Sequence, residues 1–187
     1  MPGKKKIRVS DRGVRSKGRE LQGKKIALAV CGGVASVEVV KIIREVRRFG
    51  ASVQVFVTPD VKRFITALPL EWASGRKVVE EASSEVEYLE EFEAVLVCPA
   101  TLNTLSKAAL GLCDNAVTLL IASQWKTSQL FFVPTMNLQM WGHPLFSDYH
   151  EQLLGFGAKF YPFESEEDRL KMPDAEKLVR WLIKELK

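Results

Sequence analysis

Short, nearly unbroken apolar runs alternate along this chain with longer segments whose apolar residues return every three or four positions. Residues 24-KKIALAV-30 have the pattern of a strand buried on both faces. The turn 31-CGGVAS-36 follows. In 37–50, Val39, Val40, Ile43 and Val46 share a helical face opposite Arg and Glu, and Gly50 fits the stop. Residues 51-ASVQVFVT-58, rich in β-branched side chains, predict a second strand. A strand, helix and strand so closely joined point to a parallel pair with a right-handed crossover. The same periods predict a helix over about 60–66 and a segment over 70–80 broken at Ser74-Gly75. A third strand at 94–99, a helix over 101–112 and a fourth strand at 130–134 follow. A helix over 144–155, a fifth strand at 159–163 and an amphipathic helix over 173–187, with Pro173 in its first turn, complete the pattern. The expectation is an α/β fold, a three-layer, Rossmann-like, doubly wound parallel sheet.

Length changes this picture little: 187 residues fit one domain with a core of its own. Charge changes it more. Residues 1–22 hold eight Lys and Arg against Asp11 and Glu20, a net +6, so the other 165 residues carry −2 of the chain's +4. The expected division is therefore a basic, flexible tail over 1–22 and a domain over 23–187. The domain is not a basic nucleic-acid surface, and the tail is read as a solvated arm, with contact to nucleic acid or an anionic surface the weaker alternative. No run of 18 apolar residues occurs, so a membrane span and a signal peptide are excluded and a cytoplasmic protein is expected. Cys31, Cys98 and Cys113 lie in or beside apolar runs and are expected reduced and buried; no Cys/His cluster suggests a metal.

Chemistry is expected beyond the carboxyl ends of the strands. After the first strand, Gly32-Gly33 leads through Ala35 and Ser36 into a helix. The pair makes either a tight turn or a place where backbone N–H groups approach an anion. It is not GxGxxG, so a dinucleotide fingerprint is not supported. After the second strand stands Thr58, a helix cap or a second phosphate donor. After the third, Asn103, Thr104 and Ser106 crowd a helix start that needs one cap, and the surplus suits hydrogen bonds to a planar heterocycle. After the fourth, Asn137 sits among Met136, Leu138, Met140 and Trp141. A buried amide there must be bonded, because leaving it unpaired costs roughly 1–3 kcal/mol. The methionines and Trp141 could wall a flat ring or a neighbouring subunit.

Taken together, 32-GGVAS-36, 99-PATLNT-104, 107-KAALGLCDN-115 and 134-PTMNLQMW-141 resemble the homo-oligomeric flavin-containing cysteine decarboxylases, the family of phosphopantothenoylcysteine decarboxylase and the lantibiotic peptide decarboxylases. The resemblance spans about residues 22–186. Flavin prenyltransferases, which carry Gly-x-Ser-Gly at the first turn, are set aside. The resemblance implies a flavoprotein-type fold and FMN as cofactor. Gly32, Gly33, Ala35 and Ser36 would cradle its phosphate with Thr58 as a donor. Ala100, Asn103 and Thr104 would line the ring and ribityl chain. It implies a small thiol substrate, with Asn137 holding its carboxylate between Met136 and Met140. It also implies a trimer or a multiple of trimers, and a place in coenzyme A biosynthesis if the thiol is 4'-phosphopantothenoylcysteine.

Two departures bear on activity. The family's catalytic His before the third strand is replaced, in 83-SSEVEYLEEFEAVLV-97, by Glu85 or Tyr88, depending on where a gap is placed. His143 and His150 are not positional substitutes. The flap Cys of the pantothenoyl enzymes has no counterpart in 164-ESEEDRLKMPDAEK-177, where Arg169 and Lys171 could meet a phosphate. No fused second enzyme is expected after Lys187. The first expectation is oxidative decarboxylation of a cysteine-derived thiol. An FMN-dependent oxidoreductase or electron carrier, and a non-catalytic regulatory relative, stay open beside it.

Overall fold

In the computed structural model, five parallel strands form a sheet of order β2-β1-β3-β4-β5. The strands are β1 (Lys25–Val30), β2 (Ser52–Val57), β3 (Ala94–Ala100), β4 (Gln129–Pro134) and β5 (Lys159–Phe160). The structure describes residues 11–83, 85–162, 165–166 and 169–186, with only the backbone of 165, 166 and 169. This is the doubly wound α/β arrangement that the alternating pattern predicts. Each central strand sends successive side chains into opposite cores. Ile26, Leu28 and Val30 join Leu96, Phe131 and Val133 on one face. Ala27 and Ala29 join Phe56, Val97 and Phe132 on the other.

Helices α1 (Val39–Arg48), α2 (Ala67–Ser74) and α7 (Ala175–Glu185) cover the first face. The second is covered by α3 (Leu102–Leu110), α4 (Ala116–Gln124) and α6 (Pro144–Gly155). The short α5 (Leu138–Trp141) stands between β4 and α6. A two-residue hairpin, β6 (Ser165–Glu166) with β7 (Arg169–Leu170), lies apart from the main sheet.

Several expectations shift. Helix α4 has no predicted counterpart. Its sequence AVTLLIASQ is buried on most sides and lacks a polar face to set a period; Asn115 starts it with a capping box to Thr118. Residues 59–63 form a 3-10 turn. The 70–80 segment ends as helix at Gly75, in the left-handed region, and then extends so that Val79 pairs with β2. Strand β5 is shorter than predicted; the N–H of Tyr161 still reaches Phe132, but Pro162 has none to offer.

Of the arm expected over 1–22, residues 1–10 lie outside the description, and the rest runs along α1. The N–H groups of Lys17 and Leu21 donate to the carbonyls of Arg48 and Phe49 at 2.9 and 3.0 Å. Leu21 is 1% exposed and belongs to the first core. Lys17 Nζ bridges the buried Glu45 at 2.7 Å and Glu176 at 2.8 Å. That contact, with Arg180, pulls the Glu176 carboxyl down to about 2. Cys113, expected buried, is exposed because it falls in the turn after Gly111. Among the described residues, no helix is long and apolar enough to cross a membrane.

Candidate functional site

A cavity of about 750 Å³ opens at the carboxyl edge of the sheet, within the usual range of ligand pockets. It lies where the strand order reverses between β1 and β3, the crevice that this topology offers to ligands. Gly32, Gly33 and Thr58 line one end, Thr101, Asn103 and Thr104 the middle, and Met136, Met140 and His143 the far side.

The first end is built from backbone and buried hydroxyls. Gly32 N–H donates to Thr58 Oγ1 at 3.0 Å. The Thr58 side chain makes no cap bond to the turn it precedes, so the cap expected of it is not formed and the hydroxyl hydrogen is left to donate elsewhere. Glycine is required at position 32 by close approach, since a Cβ there would sit 2.4 Å from Asp60 Cβ and 2.9 Å from its carbonyl carbon. At Gly33 the backbone is extended, so freedom of φ is not the reason. A Cβ there would enter open space beside Thr101, 3.9 Å from Cγ2. Ser36 is fully buried and its Oγ has no hydrogen-bond partner. Ala35 packs half-buried on the first core. Cys31, directly below, has its thiol pushed up to about 11 by burial, against hydrogen bonds with Thr104 and Thr101. It therefore stays protonated and contributes packing.

Helix α3 needs one cap, and Thr101 supplies it: its Oγ1 accepts from Thr104 N–H at 3.4 Å. Ser106 turns back to the Leu102 carbonyl at 2.8 Å. Asn103 lines the cavity from an exposed position, and Thr104 lines it from a buried one. Ala100 is fully buried in the second core and does not line the cavity.

Asn137, so odd in sequence, is the N-cap of α5: its Oδ1 accepts from Met140 N–H at 2.8 Å. The residue is exposed and is not itself on the cavity's lining, which its neighbours Met136 and Met140 form; the cap leaves its amide nitrogen as a donor. Met136 is 8% exposed and Met140 is 50% exposed; both line the cavity. Trp141 does not, and packs on Phe146 with ring centres 4.3 Å apart. The Met136 carbonyl accepts from Leu170 N–H at 2.7 Å, and Met172 Sδ lies 3.5 Å from Cys98 Sγ, so the segment expected as a flap is anchored beside the site. The side chain of Arg169 lies outside the described residues.

Glu85 and Tyr88 are not at the cavity. Glu85 is exposed, and its N–H donates to Ser83 Oγ at 3.0 Å. The Tyr88 carbonyl accepts from Gln124 Nε2 at 2.7 Å, near the starts of β3 and β4. Sequence reasoning missed Thr101, Asp60, Tyr149 and His143 as lining residues. The one signal for His143 was its place immediately before Pro144, the N-cap position of a helix. Among the described residues, no group of three His, Cys, Asp or Glu side chains is placed to hold a metal.

Matched against family profiles, residues 14–187 fit the one described as Flavoprotein. The chain belongs to the Flavoprotein family. This flavoprotein is 35% identical over 178 residues to the coenzyme A biosynthesis bifunctional protein CoaBC of Thermococcus kodakarensis, an alignment covering 91% of this chain and 44% of that one. The chain thus spans less than half the length of that relative. It is 28% identical over 172 residues to epidermin decarboxylase of Staphylococcus epidermidis, covering 83% of this chain and 93% of that one. Among solved structures, a PPC decarboxylase complexed with pantothenoylaminoethenethiol superposes with a TM-score of 0.75 at 22% identity, over 85% of this chain and 96% of that one, a likeness of fold.

The flavoprotein's cavity fits a flavin with a phosphate tail. Thr58 and the open space at Gly33 line one end; the unpartnered buried Ser36 hydroxyl belongs to the turn that follows, tied to it by its own N–H to the Gly33 carbonyl, and is not itself on the cavity's lining. Leaving a buried hydroxyl unpaired costs about 1–3 kcal/mol, which an anionic oxygen would relieve. Asp60, 3.9 Å from Arg63 and mostly exposed, opposes that anion weakly through screening.

Proposed function

We propose that this flavoprotein binds FMN in the carboxyl-edge cavity and decarboxylates a cysteine-ended thiol of the 4'-phosphopantothenoylcysteine type. The observation that carries the reading is the convergence of Gly33 and Thr58 with Thr101, Asn103 and Met136 around one cavity, with the orphaned, buried Ser36 hydroxyl in the turn that follows Gly33. Gly33, Ser36 and Thr58 hold the phosphate. Asn103 and Thr104 line the ring and ribityl chain. When bound, the flavin supplies a two-electron oxidant for the C–S unit of the cysteine, and the hard chemistry is the cofactor's.

The chain's own part is placement. Asn137, its amide oriented by the Met140 cap bond, offers an N–H to the substrate carboxylate. Met136 and Met140 form a soft apolar wall that keeps water from the reacting end. Loss of CO2 would then leave the electron pair of the broken C–C bond delocalised through the oxidised C–S unit onto sulfur, as onto oxygen in a β-keto acid. Glu85 and Tyr88, the two candidates for the position of the family's His, lie away from this chain's cavity, so either acts only if a second copy brings it there. A trimer is the assembly that this requirement and the resemblance favour.

The test is anaerobic incubation of the FMN-loaded chain with 4'-phosphopantothenoylcysteine. CO2 release with bleaching of the flavin is expected. Bleaching by a nicotinamide or ferredoxin donor, with no CO2 from any thiol, would instead favour an oxidoreductase.

A further inference from the structure

We propose that His143 is a substrate-binding residue, whose Nε2–H donates to the carboxylate of the thiol substrate as a neutral donor. The inference rests on the reading above and deepens it.

Asp60 is the one carboxylate among the described residues lining the cavity, and no Lys or Arg is among them. A substrate carboxylate entering there must be met by neutral groups. Neutral donors suit the chemistry. In decarboxylation the negative charge leaves the carboxylate, so a lysine or arginine bound to it would favour the ground state and raise the barrier.

His143 lines the far side of the cavity with Met136, Met140, Leu145 and Tyr149. Its Nδ1 accepts from Leu145 N–H at 3.2 Å, the N-cap bond of α6. A neutral imidazole has one accepting and one donating nitrogen, so this bond assigns the proton to Nε2. Asn137 repeats the device six residues earlier: Oδ1 caps α5 and leaves Nδ2–H to donate. One short stretch thus carries two consecutive caps, each using the acceptor atom of its side chain and each leaving an N–H. The family's imidazole position falls on Glu85 or Tyr88, both outside the cavity, whereas His143 puts an imidazole at the cavity itself. It does so as a fixed donor, because the lone pair a base would use is occupied by Leu145.

The test uses the FMN-loaded full chain and two ligands that cannot be oxidised as thiols. Pantothenoyl-serine keeps the carboxylate; pantothenoyl-aminoethanol lacks it. Binding is read from the flavin absorbance change. His143→Ser keeps a side-chain cap acceptor but is too short to reach the ligand. It is expected to weaken pantothenoyl-serine about tenfold, the size of one hydrogen bond to a charged group, and to leave pantothenoyl-aminoethanol within about twofold. FMN retention should not change. His143→Gln, which can reach with an amide N–H, should restore part of the carboxylate preference. Equal weakening of both ligands would mean that His143 acts only as a cap, and no weakening of either would also overturn the proposal. If the parent protein retains no FMN, or neither ligand perturbs its spectrum, the site reading itself falls and this inference with it.

Discussion

The two ends of the cavity are built differently. The Gly32–Thr58 end stands on the tips of β1 and β2, with Thr58 6% exposed, Ser36 fully buried and a backbone contact that admits no Cβ at Gly32. The Met140–His143 end stands around the four residues of α5, which Asn137 caps, with Asn137, Met140 and His143 exposed. Both orient donors, but by different means: the first by packing, the second by side-chain caps that tie up acceptor atoms. A packed end suits a group that stays bound, and a capped, exposed end suits one that comes and goes. The packed end should therefore fail as a whole when one atom is added, whereas the capped end should lose function while the fold survives.

The sharpest break is Gly32→Ala. The added carbon meets the Cβ and backbone of Asp60, which cannot swing away. A loss of about 1–3 kcal/mol in denaturant unfolding is expected, with FMN no longer retained through gel filtration. Next, Asn137→Ala should cost only about 1 kcal/mol, as a lost cap, and should keep FMN. Its CO2 release from the thiol should fall about 100-fold, the scale of removing one oriented donor. Unchanged turnover would remove Asn137 from the carboxylate site. A smaller effect comes from Asp60→Asn. Taking away the charge near the phosphate end should tighten FMN a few-fold at low salt and leave riboflavin unaffected. The mildest test is thiol labelling at about pH 8. Cys31, under the packed end and raised to about 11, should resist alkylation while exposed Cys113 reacts. Rapid labelling of Cys31, mapped by mass, would show that this end opens.

Much of this was legible in sequence because strand runs and turn glycines are local signals. The order of strands and helices, and the gathering of Gly33, Thr58, Asn103 and Met136 at one edge, follow from parallel pairing alone. What escaped depends on tertiary context. Helix α4 is buried too evenly to show a period. The Thr58 hydroxyl is aimed by a Gly32 N–H that is 26 residues away in the chain. Cys113 reads as a core residue until the left-handed turn at Gly111 carries it outward. His143 reads as no substitute for the missing imidazole; its place as the N-cap of α6, which packs on α3, brings it to the cavity. The part of the arm seen here, expected in solvent, is held by Leu21 and by the Lys17 contacts with two carboxylates from distant helices.

The most direct measurement is a pair of fluorescence titrations, FMN against riboflavin, on the parent chain and on Gly33→Val. The backbone at Gly33 accepts any residue, and the new side chain would enter the open space beside Thr101 that the proposal gives to the phosphate. FMN should bind the parent about 100-fold more tightly than riboflavin, from charge-assisted bonds to the phosphate, and Gly33→Val should erase that margin. Equal binding of the two flavins by the parent, or FMN affinity untouched by the valine, would contradict the account.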